Sequence, residues 1–106
     1  MIQIRVRDIL VDEARLGDRY SAIVLRTEIE RNWNPIQQDE EIEIDFTGAE
    51  FNNYDFVDEC FYVLMVQNGK EDFDRIIRPI NLCEQDQKCY DVFLAGKYKY
   101  RYKGGF

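Results

Sequence analysis

Histidine is missing from the chain altogether. That one absence removes imidazole zinc sites, Ser-His and Cys-His nucleophile pairs, and histidine acid–base chemistry. Cysteine is scarce. Cys60, Cys83 and Cys89 are odd in number and show no CxxC spacing; Cys60 lies in an apolar segment and is expected in the core, while Cys83 and Cys89 are the candidates for a redox pair. No apolar run approaches the roughly 20 residues of a membrane span. The opening "MIQIRVRDIL" alternates apolar and polar residues, which fits neither a signal nor a transit peptide and leads us to expect a cytoplasmic protein. Internal repeats, low-complexity blocks, linkers and a phosphate-cradling glycine loop are also lacking.

What is present suits one domain, residues 1–106, because 106 residues leave no room for two independent cores. With 45% hydrophobic and 33% charged residues the chain reads as globular, not disordered. Its net charge of −7 is uneven: Lys97, Lys99, Arg101 and Lys103 of the tail "KYKYRYK" carry +4, which leaves −11 on the first 96 residues. Such a body repels nucleic-acid phosphates, so no direct nucleic-acid binding is expected, and it suits a basic protein partner.

Ile2, Ile4 and Val6 alternate with Gln3, Arg5 and Arg7, the period of a strand with one wet face. Ile42, Ile44 and Phe46 alternate with Glu41, Glu43 and Asp45 in the same way. If the two strands are neighbours, a cationic row faces an anionic one and helps to fix the register. Between them, Ala22, Leu25, Ile29 and Trp33 recur at helical spacing, with Asp18 as N-cap and Asn34-Pro35 as the stop. Strand, helix, strand implies a crossover and a parallel pair. A second, largely buried helix is expected from Asp55 to about Gln67, with Asn68-Gly69 ending it and a short turn at Glu71 to Phe73. "RIIRPINL" reads as a third strand that Pro79 pushes to a sheet edge. A third helix fits Glu84 to Ala95, and "KYKYRYK" reads as a last strand or a basic aromatic tail. The fold expected is α/β, with about four strands in a mixed or parallel sheet packed with three helices.

The loop "TGAEFNN" joins the second strand to the second helix, with turn chemistry at Gly48 and Asn52-Asn53. Asp55 is expected as the N-cap of that helix, with Asp58 and Glu59 in the first turn favoured by the helix dipole. Adjacent helical positions point about 100° apart, so Asp58 and Glu59 do not face one bond together and no catalysis is expected of them. The run "QQDEEIEID" lacks the spacing and glycine of a calcium loop, and its carboxylates are expected on one solvent face; no metal or cofactor is expected.

"IDFTGAEFNNYDFVDECF" resembles the signature of the STAS superfamily, the domains of sulfate transporters and anti-sigma-factor antagonists. It resembles still more the bacterial and phage STAS-like domains of unknown function, whose strand, "DFxG", loop and "F-x-D-E-x-F" are matched by Asp45, Phe46, Gly48, Phe56, Asp58, Glu59 and Phe61. "LRTEIE" and "FDRIIRPINL" extend the likeness over most of Ile2 to Phe93. The resemblance implies a small STAS-like domain and partner switching: a non-catalytic regulatory contact with a histidine-kinase-like ATPase. That contact would run through Phe51, Asn52, Asn53, Tyr54, Asp55, Asp58 and Glu59, with Phe56 beside them. Asp55 falls where antagonists carry their regulatory hydroxyl, and Asn53 near a usual Asp, so no phosphorylation is expected there; Thr47 and Tyr54 are the nearby hydroxyls. A different class also fits the −11 body: an acidic phage or mobile-element inhibitor of a host defence nuclease, of the anti-CRISPR type, with a basic host protein as partner. The basic tail offers a further contact, with the acidic face of a second copy as in a homodimer.

Overall fold

The computed structural model describes residues 2–10, 19–33 and 40–96. Three strands, β1 (Ile2–Arg5), β2 (Ile42–Asp45) and β3 (Ile77–Ile80), form a sheet of order β1-β2-β3 with both pairs parallel. Helices α1 (Val6–Ile9), α2 (Arg19–Trp33), α3 (Tyr54–Val57), α4 (Val63–Asn68), α5 (Lys70–Ile76) and α6 (Glu84–Leu94) surround it. A π turn, Asp58–Tyr62, joins α3 to α4 in one continuous rod, so that five helical bodies are present among the described residues. The α/β class is as the sequence predicts. The strand and helix counts differ from it: three strands where about four were expected, and five helices where three were. The fourth strand was assigned to the basic tail, which lies outside the described residues, as do Asp18 and the Asn34-Pro35 stop.

Period-2 alternation sets which side of the sheet is buried. Ile4, Ile42, Ile44 and Ile77 are buried on one face. On the other, Gln3 stands opposite Glu43 and Arg5 opposite Asp45. Gln3 Nε2 donates to Glu43 Oε1 at 2.7 Å, and Arg78 Nη2 lies 3.4 Å from Glu41. Of the facing rows expected on β1 and β2, the register keeps one pair of opposite charge, Arg5 with Asp45, because Gln3 is neutral and Arg7 has left the strand; a cross-strand pair of opposite charge is worth about 0.2–1 kcal/mol. Main-chain bonds from Ile2 N to Glu41 O (3.1 Å) and from Phe46 N to Ile80 O (3.0 Å) extend the ladders at their ends. Pro79 does lie on an edge strand, as its lack of an N–H requires.

Two local departures have simple causes. The first strand stops at Arg5 instead of running through Arg7. Val6 turns inward, fully buried, and the chain closes a single helical turn through Leu10 N to Val6 O at 2.9 Å, which buries Leu10 as well. The short turn expected near Glu71 is the seven-residue α5, launched from Gly69 at φ +93° and anchored by buried Phe73 and Ile76. The residue at 69 needs a positive φ, which glycine alone adopts without strain.

The core is built around phenylalanine. Phe61, from the π turn, meets Phe73 at 6.3 Å and Tyr90 at 5.1 Å, both edge-on. Phe73 meets Phe93 at 5.9 Å. Edge-to-face pairs at these distances add about 0.5–1.5 kcal/mol each beyond their buried area. Burial pushes the Tyr90 hydroxyl and the Cys60 thiol well above their ordinary pKa values, so both stay neutral. Cys83 and Cys89 are free thiols at the N-cap and sixth position of α6. Six helical positions rise by about 9 Å, beyond disulfide reach, so the redox pairing does not form.

Candidate docking corner

The chain leaves β2 at the centre of the sheet and turns back towards a helix, and three separate devices fix how it does so. Gly48 at φ +74° and Ala49 N to Phe46 O at 2.9 Å make the first reversal. Next, the buried Asp86 carboxylate of α6 takes both following amides: Phe51 N donates to Oδ2 at 2.9 Å and Asn52 N to Oδ1 at 2.8 Å. This clamp holds Asn52 in the left-handed region at φ +53°, which asparagine tolerates better than other side chains. Finally, Asn53 caps the helix. Its Oδ1 accepts from Phe56 N at 2.8 Å, while its Nδ2 donates to Phe51 O at 3.0 Å.

The cap is therefore Asn53, not Asp55. The expected N-cap lies two residues further on, in the first turn of α3, exposed. An extended Asn53 at φ −162° has the backbone and side chain that an N-cap needs, so the helix starts at Tyr54. Asp55 keeps the favourable position near the positive helix end, worth about 0.3–1 kcal/mol.

The seven residues expected to form one contact surface divide into two groups. Tyr54 and Asp55 are exposed, and Asn52 and Asn53 are half-buried. Phe51, Asp58 and Glu59 are buried and belong to the interior behind the corner. Phe56 is buried too, stacked on Phe51 at 4.6 Å with the rings 6° from parallel, and Phe46 meets both edge-on. The reason is the same for Phe51 and Phe56. Two aromatic rings flanking a tight turn find more apolar contact with each other and with β2 than with water.

Glu59 faces α2. Its Oε1 lies 2.7 Å from Arg19 Nε and its Oε2 3.4 Å from Arg26 Nη1, and Arg26 Nη1 also donates to the Glu59 carbonyl. The π turn brings four consecutive residues, Asp58 to Phe61, under cover at once. Such wide turns occur as single insertions within α-helices, often where a side chain needs re-aiming. Tyr54 is tied to α6 by a hydrogen bond with the Cys89 thiol, and partial burial of its hydroxyl raises its pKa.

Asp86, Arg19 and Arg26 were not picked out by the sequence. Asp86 looks there like one more acid in a helical first turn, 35 and 34 positions from the two amides it holds. No local pattern announces the pairing.

A sequence model of the STAS-like domain of unknown function, DUF4325, matches residues 21–87. The chain belongs to that family. The matched stretch runs from α2 to the first turn of α6, so it includes β2, the loop, the Asn53 cap, the π turn and Asp86, every part from which this STAS-like domain builds its corner. No curated protein and no solved structure matches the chain. Among the described residues, no helix of this STAS-like domain is long and apolar enough to cross a membrane.

Proposed function

We propose that this STAS-like domain is a non-catalytic regulatory module that docks a protein partner at the corner formed by residues 52–55. The observation that carries the reading is the contrast within the corner. The backbone is held by the Asp86 clamp and the Asn53 cap, while Tyr54, its hydroxyl bonded to Cys89, and Asp55 are exposed on that fixed base. A preorganised backbone with one aromatic and one charged side chain lowers the ordering cost of association. Tyrosine is also enriched among the residues that dominate binding energy.

The partner we favour is an ATPase-type regulator of the histidine-kinase-like class, by analogy with anti-sigma-factor antagonists. Asp55 carries −1 permanently where a phosphoserine would carry about −1.5 to −2, so the contact is held in a charged state instead of being switched. A phosphate found on this loop by intact mass, after co-expression with a candidate kinase, would reverse that last point.

The decisive experiment titrates the purified domain against a histidine-kinase-like ATPase from the same genome. Y54A/D55A is expected to weaken binding by about tenfold or more, and E71A, exposed on α5, to leave it unchanged. Equal affinity for wild type and Y54A/D55A would overturn the reading. Salt separates it from the acidic-inhibitor alternative, because a contact centred on Tyr54 changes little with ionic strength, whereas occupation of a basic groove by the −11 body collapses between low and moderate salt.

A further inference from the structure

At the carboxyl ends of β1 and β2 lies a pocket of about 420 Å³ lined by Arg5, Arg7, Asp8, Asp45 and Thr47. Open α/β sheets bind ligands just beyond the carboxyl ends of their strands, and the volume is within the usual range for small-molecule sites. The lining is formally neutral, with two guanidinium groups and two carboxylates. Charge alone therefore does not identify a ligand, and the free hydrogen-bonding capacity decides.

Asp45 is already engaged. Its Oδ1 accepts from Thr47 N at 2.9 Å, Thr47 Oγ1 at 2.7 Å and Asn81 Nδ2 at 2.9 Å. Those three donors, with Asn81 contributing most, hold its carboxyl below the ordinary range. Arg7 spends one of its five N–H donors, from Nη1, on the Gly48 carbonyl at 2.9 Å. Arg5 is exposed and stands opposite Asp45 in register; among the described residues it makes no hydrogen bond or ion pair. Asp45 Oδ2 and the Asp8 carboxylate carry no described hydrogen bond either, so the pocket offers an oxyanion the guanidinium N–H of two side chains around one space, set against two carboxylates. Guanidinium forks match tetrahedral oxyanions in a bidentate manner.

We infer that this pocket binds a tetrahedral oxyanion, phosphate or sulfate, free or as the head of a small ester, held between Arg5 and Arg7. Nothing in this rests on the docking corner, and either reading survives failure of the other. Asp8 sits at the same pocket as an exposed like charge and limits the affinity.

The test is a titration of the full chain with inorganic phosphate, sulfate and glycerol 3-phosphate at constant ionic strength, followed by amide chemical shifts. Saturable changes confined to residues 5–8 and 45–48 are expected. R5Q should weaken binding by about tenfold, the worth of one charge-assisted hydrogen-bonding group, and D8N should tighten it. Tighter binding of glycerol 3-phosphate than of phosphate assigns the pocket to esters, and equal or weaker binding assigns it to the free ion; both support an oxyanion site. R7Q also frees the Gly48 carbonyl, whereas R5Q breaks no described hydrogen bond and removes only the charge of Arg5 beside Asp45, so R5Q is the deciding variant. Absence of saturation, an equal response to chloride, or unchanged binding by R5Q would each overturn the site.

Discussion

Two buried carboxylates flank the corner, and they are satisfied in opposite ways. Asp86 accepts from two successive backbone amides and dictates the path of the chain at residues 51 and 52. Glu59 accepts from the side chains of Arg19 and Arg26 and ties one helix to another without fixing any backbone angle. A carboxylate bonded to main chain sets a conformation, whereas one bonded to long side chains sets a distance, with slack. The difference predicts that Asp86 governs the shape of the corner and Glu59 only its attachment.

The largest expected effect follows from removing the clamp. D86A strands two buried N–H groups and should cost about 3 kcal/mol in urea unfolding. The amides of Phe51 and Asn52 should then exchange much faster than those of α2. If exchange there is unchanged, the loop holds its own shape and the contrast with Glu59 fails.

E59Q should cost less, about 2 kcal/mol, because it leaves the partly buried Arg26 with only the more distant Glu30 carboxylate, 3.8 Å away, as its anion. R19A, by contrast, removes only the exposed half of the pair and should cost under about 0.5 kcal/mol, since water screens a guanidinium that is 70% exposed. A loss from R19A as large as that from E59Q would mean that α2 is held from its exposed end. N53A ranks next, at about 1 kcal/mol, the usual worth of an N-cap. With the Asp86 clamp intact, its effect should add to that of E59Q, because the hydrogen bonds described for Asn53 and the ion pairs described for Glu59 involve different residues.

Asp45 sharpens the comparison by supplying a third kind of carboxylate, open to water and held by local donors. Its pKa lies below its ordinary value of 3.8 when folded, chiefly through Asn81 and Thr47. The stability it contributes is therefore complete above 3.8 and is lost as pH falls through the lowered value. N81A should shrink that acid-side loss, seen as a flatter fall in melting temperature as pH is taken down from 3.8. The effect is the smallest of the set.

The sequence carried the sheet well, because a period of two in Ile2–Ile4 and Ile42–Ile44 admits only one buried face. Helix α6 was equally plain, with Cys89, Tyr90 and Phe93 on one side and Gly96 after it. The corner was legible as a place but not as a structure. Asn53 and Asp55 are both good capping residues, two positions apart, and the choice between them depends on where Asp86 pins the preceding amides. Phe51 and Phe56 looked available for contact because a loop sequence does not show that two rings will stack and turn inward. The π turn leaves no trace in the pattern: Phe56 to Val66 reads simply as apolar on every side.

The placement of Pro79 has one more consequence. Phe46 N donates to Ile80 O, so alternation turns the main-chain groups of Ile77 and Pro79 away from β2. The missing donor of Pro79 thus falls on the outer rim of β3 and spoils that rim as a template for another strand. On the opposite side, Ile2 N points to β2, which leaves the amides of Gln3 and Arg5 facing outward intact. Among the described residues, an intermolecular strand that joined this sheet would meet a complete row of partners only along β1, where the exposed charge of Arg5 discourages casual stacking of copies.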